Sequence, residues 1–511
     1  MSIVLLATAW IRPLMLPDEG RYVGVAWEMM RSGNWLVPTL DGLPFFHKPP
    51  LFYWLTAASM SAFGLHEWAA RMASVSGAVL GSFALWLFLR RWWSERSANL
   101  AAVALLSQPL FLLGGQFANL DMLVAGCITV TIVLAADAAL CITGDRPYRG
   151  ALAGAWAMAA LGVLAKGLIG VVIPGGVIVV WLLALRRWRV IGRLLWWPGC
   201  LLFMVIAVPW FWAMQVRFPE FFHYFIVVQH FQRFAAGGFN NVQPFWFYPA
   251  VLLLASLPWL PWLVGNRLAM SPPPALSSAQ ERAVALLMVC WLLVVVLFFS
   301  IPASKLLGYI LPAVPPLAAL MARGFVRWKF DLKRKNAGWW FSIGATAVLN
   351  LCVVVLVAIK QPDSLLGLGR ILATRHVPGE PVIMLGKFYY DLPFYARLPQ
   401  AVAVVEDWKQ AALRPQDDWR MELSDAAGFA PNRGADTLMM PADLSAGLCS
   451  VASSWIVGPV TAVGTYPMLR LMSVVGAQRD VRLWKVETSR PEVFKALGCA
   501  GHLVDLRSNS V

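Results

Sequence analysis

The chain has 511 residues, of which 59% are hydrophobic and only 14% charged, against roughly 25% charged in a soluble protein. That balance excludes a disordered chain, which could not keep so much apolar surface in water. It also excludes a single soluble domain, because apolar runs of membrane-spanning length recur. The net charge of +15 is uneven: residues 1–359 hold 26 Lys/Arg against 12 Asp/Glu, and residues 360–511 hold 16 against 15. The bases lie in short loops between apolar runs, as membrane orientation demands, and not on one water-facing stripe, so nucleic acid is excluded as a partner.

In chain order, apolar spans are expected at 1–16, 70–89, 97–115, 120–141, 150–165, 167–185, 194–213, 246–264, 283–300, 305–322 and 338–358, about eleven in all. The first is short, contains Arg12 and has no small-residue cleavage site, so it is not read as a signal peptide. Sorting the bases by alternate loops places 17 on one side, among them Arg90, Arg91, Arg146 and Arg187, and 8 on the other. The richer side is then cytoplasmic. Loops 17–69 and 214–245, and the tail from about 360, are expected outside. Within those loops, 20–32 and 218–234 read as amphipathic helices lying in the interface plane.

The tail changes character. PVIMLG, AVAVV, SSWIVG and RLWKV are short strand-like runs, with a Tyr/Phe-rich helical stretch between the first two. The expected architecture is an α-helical polytopic membrane domain over 1–359 and a soluble α/β domain over 360–511. Cys449 and Cys499 are the only cysteines of the tail. An oxidising compartment allows them to pair, but their spacing does not show that they meet. The other five cysteines lie in apolar segments and read as core residues.

Charge beside a membrane is expensive, so each such residue needs a reason. Asp18-Glu19-Gly20-Arg21-Tyr22 places two acids before a base, which suits proton abstraction beside an anionic substrate; Asp18 also reads as the cap of a helix starting near Gly20. Asp121 opens an apolar run, as a reactive acid or as a cap. His230 and Arg233 share a helix face, and an Arg there suits a phosphate; snorkelling explains it equally. Lys305 and Tyr309 share another face at the start of a span, as head-group ligands or as a snorkelling Lys and a belt Tyr. His47 and His230 are outside-facing imidazoles without metal-ligand spacing around them. Walker, Rossmann and nucleophile-elbow signatures are absent, so cytosolic ATP is not the expected energy source.

Taken in order, Asp18-Glu19-Gly20-Arg21-Tyr22, SGNWLVPTLDGLPFFHKPPLFYWL (32–55), HFQRF (230–234) and SKLLGYILP (304–312) resemble the bacterial 4-amino-4-deoxy-L-arabinose lipid A transferases. These belong with the protein O-mannosyltransferases to the GT-C membrane glycosyltransferases. The resemblance covers roughly 1–325 and extends to the tail only in architecture. It implies transfer of a sugar from an undecaprenyl-phosphate donor to an acceptor, lipid A phosphate above all, on the periplasmic face of the inner membrane. It further implies that Asp18, with Glu19 beside it, and Asp121 are the catalytic acids, and that Lys48, Arg233 and Tyr309 hold the carrier phosphate. In a zinc-binding member the His230 position supplies a ligand, so a zinc ion at His230 and His47 is carried as an expectation. Two departures stand out: His47 replaces the usual Glu before Lys48-Pro49-Pro50, and the spans are fewer than in the aminoarabinose transferases.

The chemistry agrees with that assignment. Departure of polyprenyl phosphate puts negative charge on the leaving oxygen, which cations and a phenol would stabilise, and a carboxylate taking the acceptor's proton would complete an inverting displacement. The alternatives are lipid-linked sugar transfer to protein or another glycan, a transporter or flippase, and a non-catalytic scaffold whose tail binds a partner. A transporter would carry internal repeats and mid-membrane charges; neither is seen in the sequence.

Overall fold

The computed structural model describes residues 9–10, 12–232, 241–268, 279–328, 332–360, 364–413 and 418–499, with side chains described in those ranges except at 230–232, 265–268, 332, 334 and 360. The chain forms two compact units: Met1–Arg12 with His47–Lys360, and Pro13–Phe46 with Gln361–Val511. The division after Lys360 falls where the composition changes. Residues 13–46, expected within the membrane domain, pack instead with the tail.

The first unit is a helical bundle. Among the described residues, six helices are long and apolar enough to cross a membrane: Glu67–Trp92, Leu120–Thr143, Trp197–Arg217, Ala279–Ser300, Leu307–Arg327 and Lys335–Ile359. Two bent pairs, Glu95–Ser107 with Pro109–Gly115 and Phe247–Ala255 with Leu257–Val264, raise the number of spans to as many as eight. Each bend has a Pro just after the break, Pro109 or Pro258, where its missing N–H cannot continue the preceding helix. Leu51–Phe63, Arg149–Lys166 and Ile169–Ala184 add shorter helices. Ten of the expected spans thus find helical counterparts; most of the eleventh, 1–16, lies outside the described residues. In lipid a spanning segment must satisfy its own backbone, and a helix does so.

Sequence detail sets the packing. Gly77 and Gly126 meet where Glu67–Trp92 crosses Leu120–Thr143, and a Cβ on either would overlap the other helix's backbone; small residues permit such close helix approach. Trp197–Arg217 exposes Leu201, Val205, Trp212 and Val216, a face suited to lipid. At the end of these helices that carries the basic loops, Asp137 accepts hydrogen bonds from Arg91 Nη1 at 3.0 Å and Trp92 Nε1 at 2.8 Å. The chain is a polytopic membrane protein.

The second unit is an α/β domain. Its six-stranded sheet has the order β5-β4-β3-β6-β8-β7, with β3 Val382–Leu385, β4 Ala403–Val405, β5 Leu438–Met439, β6 Ser453–Pro459, β7 Ser473–Gln478 and β8 Val481–Glu487. Strands β5, β4, β3 and β6 run parallel, and β8 and β7 extend the sheet antiparallel. All four residues of β3 are buried, as expected of a parallel central strand covered on both faces. Ile383, Val405, Ile456, Trp484 and Val486 form a core with Leu444, Leu448, Val493 and Leu497. Cys449 and Cys499 are joined in a disulfide across this core. A hairpin of β1 Thr39–Leu40 and β2 Leu43–Pro44 also belongs to this unit.

The helix Asp18–Ser32 belongs here too. It buries ten of its residues, so it is a packed element and not one laid flat with a wide polar face. Its Arg31 donates to Leu398 O at 2.6 Å, and Leu14 N donates to the Tyr395 hydroxyl at 2.8 Å. In the first unit, the described part of the aromatic run at 218–234 contains a π-helix, His223–Gln232, and 233–234 lie outside the described residues.

Candidate active site

In the first unit three helix ends converge. Leu120–Thr143 begins with Asn119 as its cap: Asn119 Oδ1 accepts the Asp121 amide at 2.8 Å. Asn119 therefore does the capping expected of Asp121 and leaves the Asp121 carboxylate for another partner. That partner is Lys166, the last residue of Arg149–Lys166, whose Nζ is ion-paired with Asp121 Oδ1. The Lys166 ammonium also lies 4.2 Å from the centre of the Tyr309 ring, a cation–π contact. Asp121 is 6% exposed. Gly308 completes the arrangement, because a Cβ there would overlap the Asp121 carboxylate.

The neighbouring expectations fare differently. Lys305, read as a head-group ligand, is turned inward: its Nζ donates to Gln243 O at 2.9 Å and to Pro302 O. Its backbone N–H donates to Asn241 O at 3.0 Å, so Lys305 ties 241–243 to the start of the next helix. Tyr248 donates to Leu306 O at 3.1 Å and supports the same turn. His47 is buried, with its ring 5.9 Å from that of Tyr224. Lys48 is half-buried in the same unit. Arg233 lies outside the described residues. His230 sits in the π-helix, but its side chain lies outside them as well.

Asp18 and Glu19 belong to the second unit. The helix starts at Asp18, with Pro17 at the cap and no side-chain capping bond. Asp18 pairs with Arg21 at 2.8 Å, and a third of its side chain stays exposed. Arg21 also pairs with Glu422 at 2.5 Å, and Glu422 accepts the Tyr390 hydroxyl at 2.6 Å. Burial opposes the Arg21 charge, but Glu422, Tyr390, Tyr22 and Asp18 together hold the guanidinium firmly protonated. Glu19 is fully buried and accepts the Met15 amide at 2.8 Å. That contact ties Glu19 to the turn before the helix.

Sequence reasoning passed over Lys166, Glu422 and Tyr390. Lys166 offered one signal, a lone cation between two apolar helices, which is costly without a partner. Glu422 offered none, since it lies 401 residues from Arg21. Among the described residues, no three His, Cys, Asp or Glu side chains are grouped to hold a metal.

Residues 47–212 match the dolichyl-phosphate-mannose-protein mannosyltransferase family. The fold is that of the ArnT crystal structure from Cupriavidus metallidurans bound to undecaprenyl phosphate, with a TM-score of 0.80, 24% identity, and 95% of this chain and 96% of that one covered. Together with the helical unit and its lysine–carboxylate cluster, these likenesses define a membrane protein of the GT-C glycosyltransferase class. Two curated relatives narrow it. The undecaprenyl phosphate-alpha-4-amino-4-deoxy-L-arabinose arabinosyl transferase of Erwinia tasmaniensis is 31% identical over 79% of this chain and 71% of its own length. That of Aeromonas hydrophila is 35% identical over 69% of this chain. The chain belongs to this arabinosyl transferase family. The match spans 63% of the Aeromonas hydrophila relative's length.

Proposed function

We propose that the chain transfers 4-amino-4-deoxy-L-arabinose from undecaprenyl phosphate to a phosphate of lipid A, at the periplasmic face of a bacterial inner membrane. One observation carries the reading: a half-buried lysine, Lys166, held by Asp121 and Tyr309 in a chain of the arabinosyl transferase family. In the displacement, an acceptor phosphate oxygen bonds to the sugar's anomeric carbon. The bond from that carbon to the donor phosphate breaks, and its electron pair leaves with undecaprenyl phosphate. The Lys166 ammonium meets the charge growing on the leaving oxygen, where fixed positive charge lowers the barrier most. Asp121 orients the ammonium, and Tyr309 covers it. Lys48 and Arg233 hold the donor phosphate, and Asp18, a third of whose side chain is exposed, takes the acceptor's proton.

Mass spectrometry of lipid A from cells with the gene present, deleted, and complemented tests this. Loss of a pentosamine-sized mass on deletion, restored by wild type and not by Asp18→Asn at equal protein level, is the expected result. Identical lipid A in all strains under inducing conditions would reject the acceptor. The match of 47–212 to protein mannosyltransferases favours a second reading, sugar transfer to protein; loss of glycosylated envelope proteins in the deletion strain would select it. A zinc ion at His47 and His230 is a separate proposal, with no step assigned to it. About one zinc per purified chain, lowered in His47→Ala, is expected; metal-free protein would sink it.

A further inference from the structure

Three segments of the second unit meet at Arg21: the first turn of the helix Asp18–Ser32, the turn at 390–391 and the helix Trp419–Gly428. Asp18 and Arg21 by themselves would form an ordinary i,i+3 pair at a helix start, in which a long arginine side chain samples many rotamers. Here it is pinned. Arg21 Nη2 donates to Asp18 Oδ1 at 2.8 Å, while its Nη1 donates to Glu422 Oε1 at 2.5 Å. The guanidinium also lies 5.5 Å from the centre of the Tyr22 ring and 5.6 Å from that of Tyr390. Gly20 makes the approach possible, because a Cβ there would come within 2.9 Å of Tyr390 Cβ.

Glu422 is fixed in turn. It is buried, and its Oε2 accepts the Tyr390 hydroxyl at 2.6 Å. Burial and the Glu422 charge push the Tyr390 phenol well above its ordinary range, so the hydroxyl stays a donor. The helix that carries Glu422 is capped by Asp418, which accepts the Arg420 and Met421 amides. A buried ion pair is a weak source of stability, because desolvation offsets its attraction. What this one supplies is orientation. The guanidinium is a planar, rigid fork, so holding one arm fixes the direction of the other. Geometry is thereby passed from Tyr390 through Glu422 and Arg21 to the Asp18 carboxylate.

We propose that Glu422 and Tyr390 are positioning residues for sugar transfer, which hold the Asp18 carboxylate in its reactive orientation through Arg21. This rests on the reading of Asp18 as the group that takes the acceptor's proton, a step that needs hydrogen-bond reach and suffers from small misplacements. The test is the kinetics of transfer by the full-length protein in vesicles supplied with the lipid-linked aminopentose donor and lipid A. Glu422→Ala should lower kcat roughly a hundredfold at unchanged KM. Glu422→Gln, which keeps an acceptor for Tyr390, should recover part of that loss. Tyr390→Phe, which removes only a hydroxyl, should lower kcat roughly tenfold, as the loss of one charge-assisted hydrogen bond implies. In an Asp18→Asn background none of the three should lower the residual rate further, because their effect runs through Asp18. Wild-type kcat in Glu422→Gln and Tyr390→Phe, with transfer lost in Asp18→Asn, would overturn the proposal and leave the reading of Asp18 standing. Losses that add in full to that of Asp18→Asn would also overturn it, since the pair would then serve the fold alone. Wild-type kcat in Asp18→Asn would overturn the reading and the proposal together.

Discussion

Asp121 and Asp18 each lie in the first turn of a helix, and each meets a cation, yet their surroundings differ. In the membrane unit, Asp121 is buried and matched one-to-one with Lys166, under the Tyr309 ring. In the α/β unit, Asp18 shares Arg21 with a second acid, Glu422, and keeps a third of its side chain exposed. A closed pair fixes a cation in place. An acid that shares its cation and remains exposed can still meet a group from outside the chain. The same residue type is thus placed in different surroundings by burial and by the number of partners.

Several substitutions would break or sharpen this contrast. Asp18→Asn should lower transfer by roughly 10²–10⁴-fold, the usual worth of general-base catalysis, with little change in thermal stability. Lys166→Met should cost as much activity, but also about 3–5 kcal/mol of stability, because it strands a buried carboxylate. The double change Asp121→Asn with Lys166→Met should recover stability without activity; recovery of both would remove the lysine from the reaction. Gly308→Ala pushes the Asp121 carboxylate off its lysine, and roughly a hundredfold loss in kcat at unchanged expression is expected. Wild-type turnover in Gly308→Ala would show that this packing is not needed.

The smallest effect concerns the α/β unit. Burial raises the Asp391 carboxyl to about 6, despite hydrogen bonds from Ser364 and the Leu365 amide. A raised acid binds its proton more tightly in the folded state. Stability from this group is therefore greatest below the unfolded value near 4, falls as pH rises from 4 to 6, and is level above that. The fall should be roughly 2–3 kcal/mol. Glu380 acts in the other direction: burial opposes its charge, but Lys485 and Trp455 hold it at about 2, so its contribution fades only as pH drops from about 4.5 toward 2. Hydrogen exchange of the β3 and β6 amides in the full-length protein, corrected for intrinsic rates, should show the first slope in wild type and lose it in Asp391→Asn.

The sequence by itself determined what composition and periodicity can carry. Apolar runs of spanning length became helices, because a backbone in lipid has no other partner. PVIMLG, AVAVV, SSWIVG and RLWKV became β3, β4, β6 and β8, because β-branched and aromatic runs fit a pleated, covered surface. Four strands stayed hidden: β1, β2 and β5 are two residues long each, and β7 carries a bulge at Gly476. The motif residues Asp121 and Tyr309 were legible one by one, but nothing local told a helix cap from a reactive acid. Tertiary structure decided the cap, by giving it to Asn119, and paired Asp121 with Lys166 from 45 residues away. It also decided that 13–46 packs with the tail, through Arg21 and Glu422. These outcomes depend on which distant charges meet when apolar surfaces close. Charge pairing acts over a few ångströms in space, and local sequence patterns carry no record of contacts between residues hundreds of positions apart.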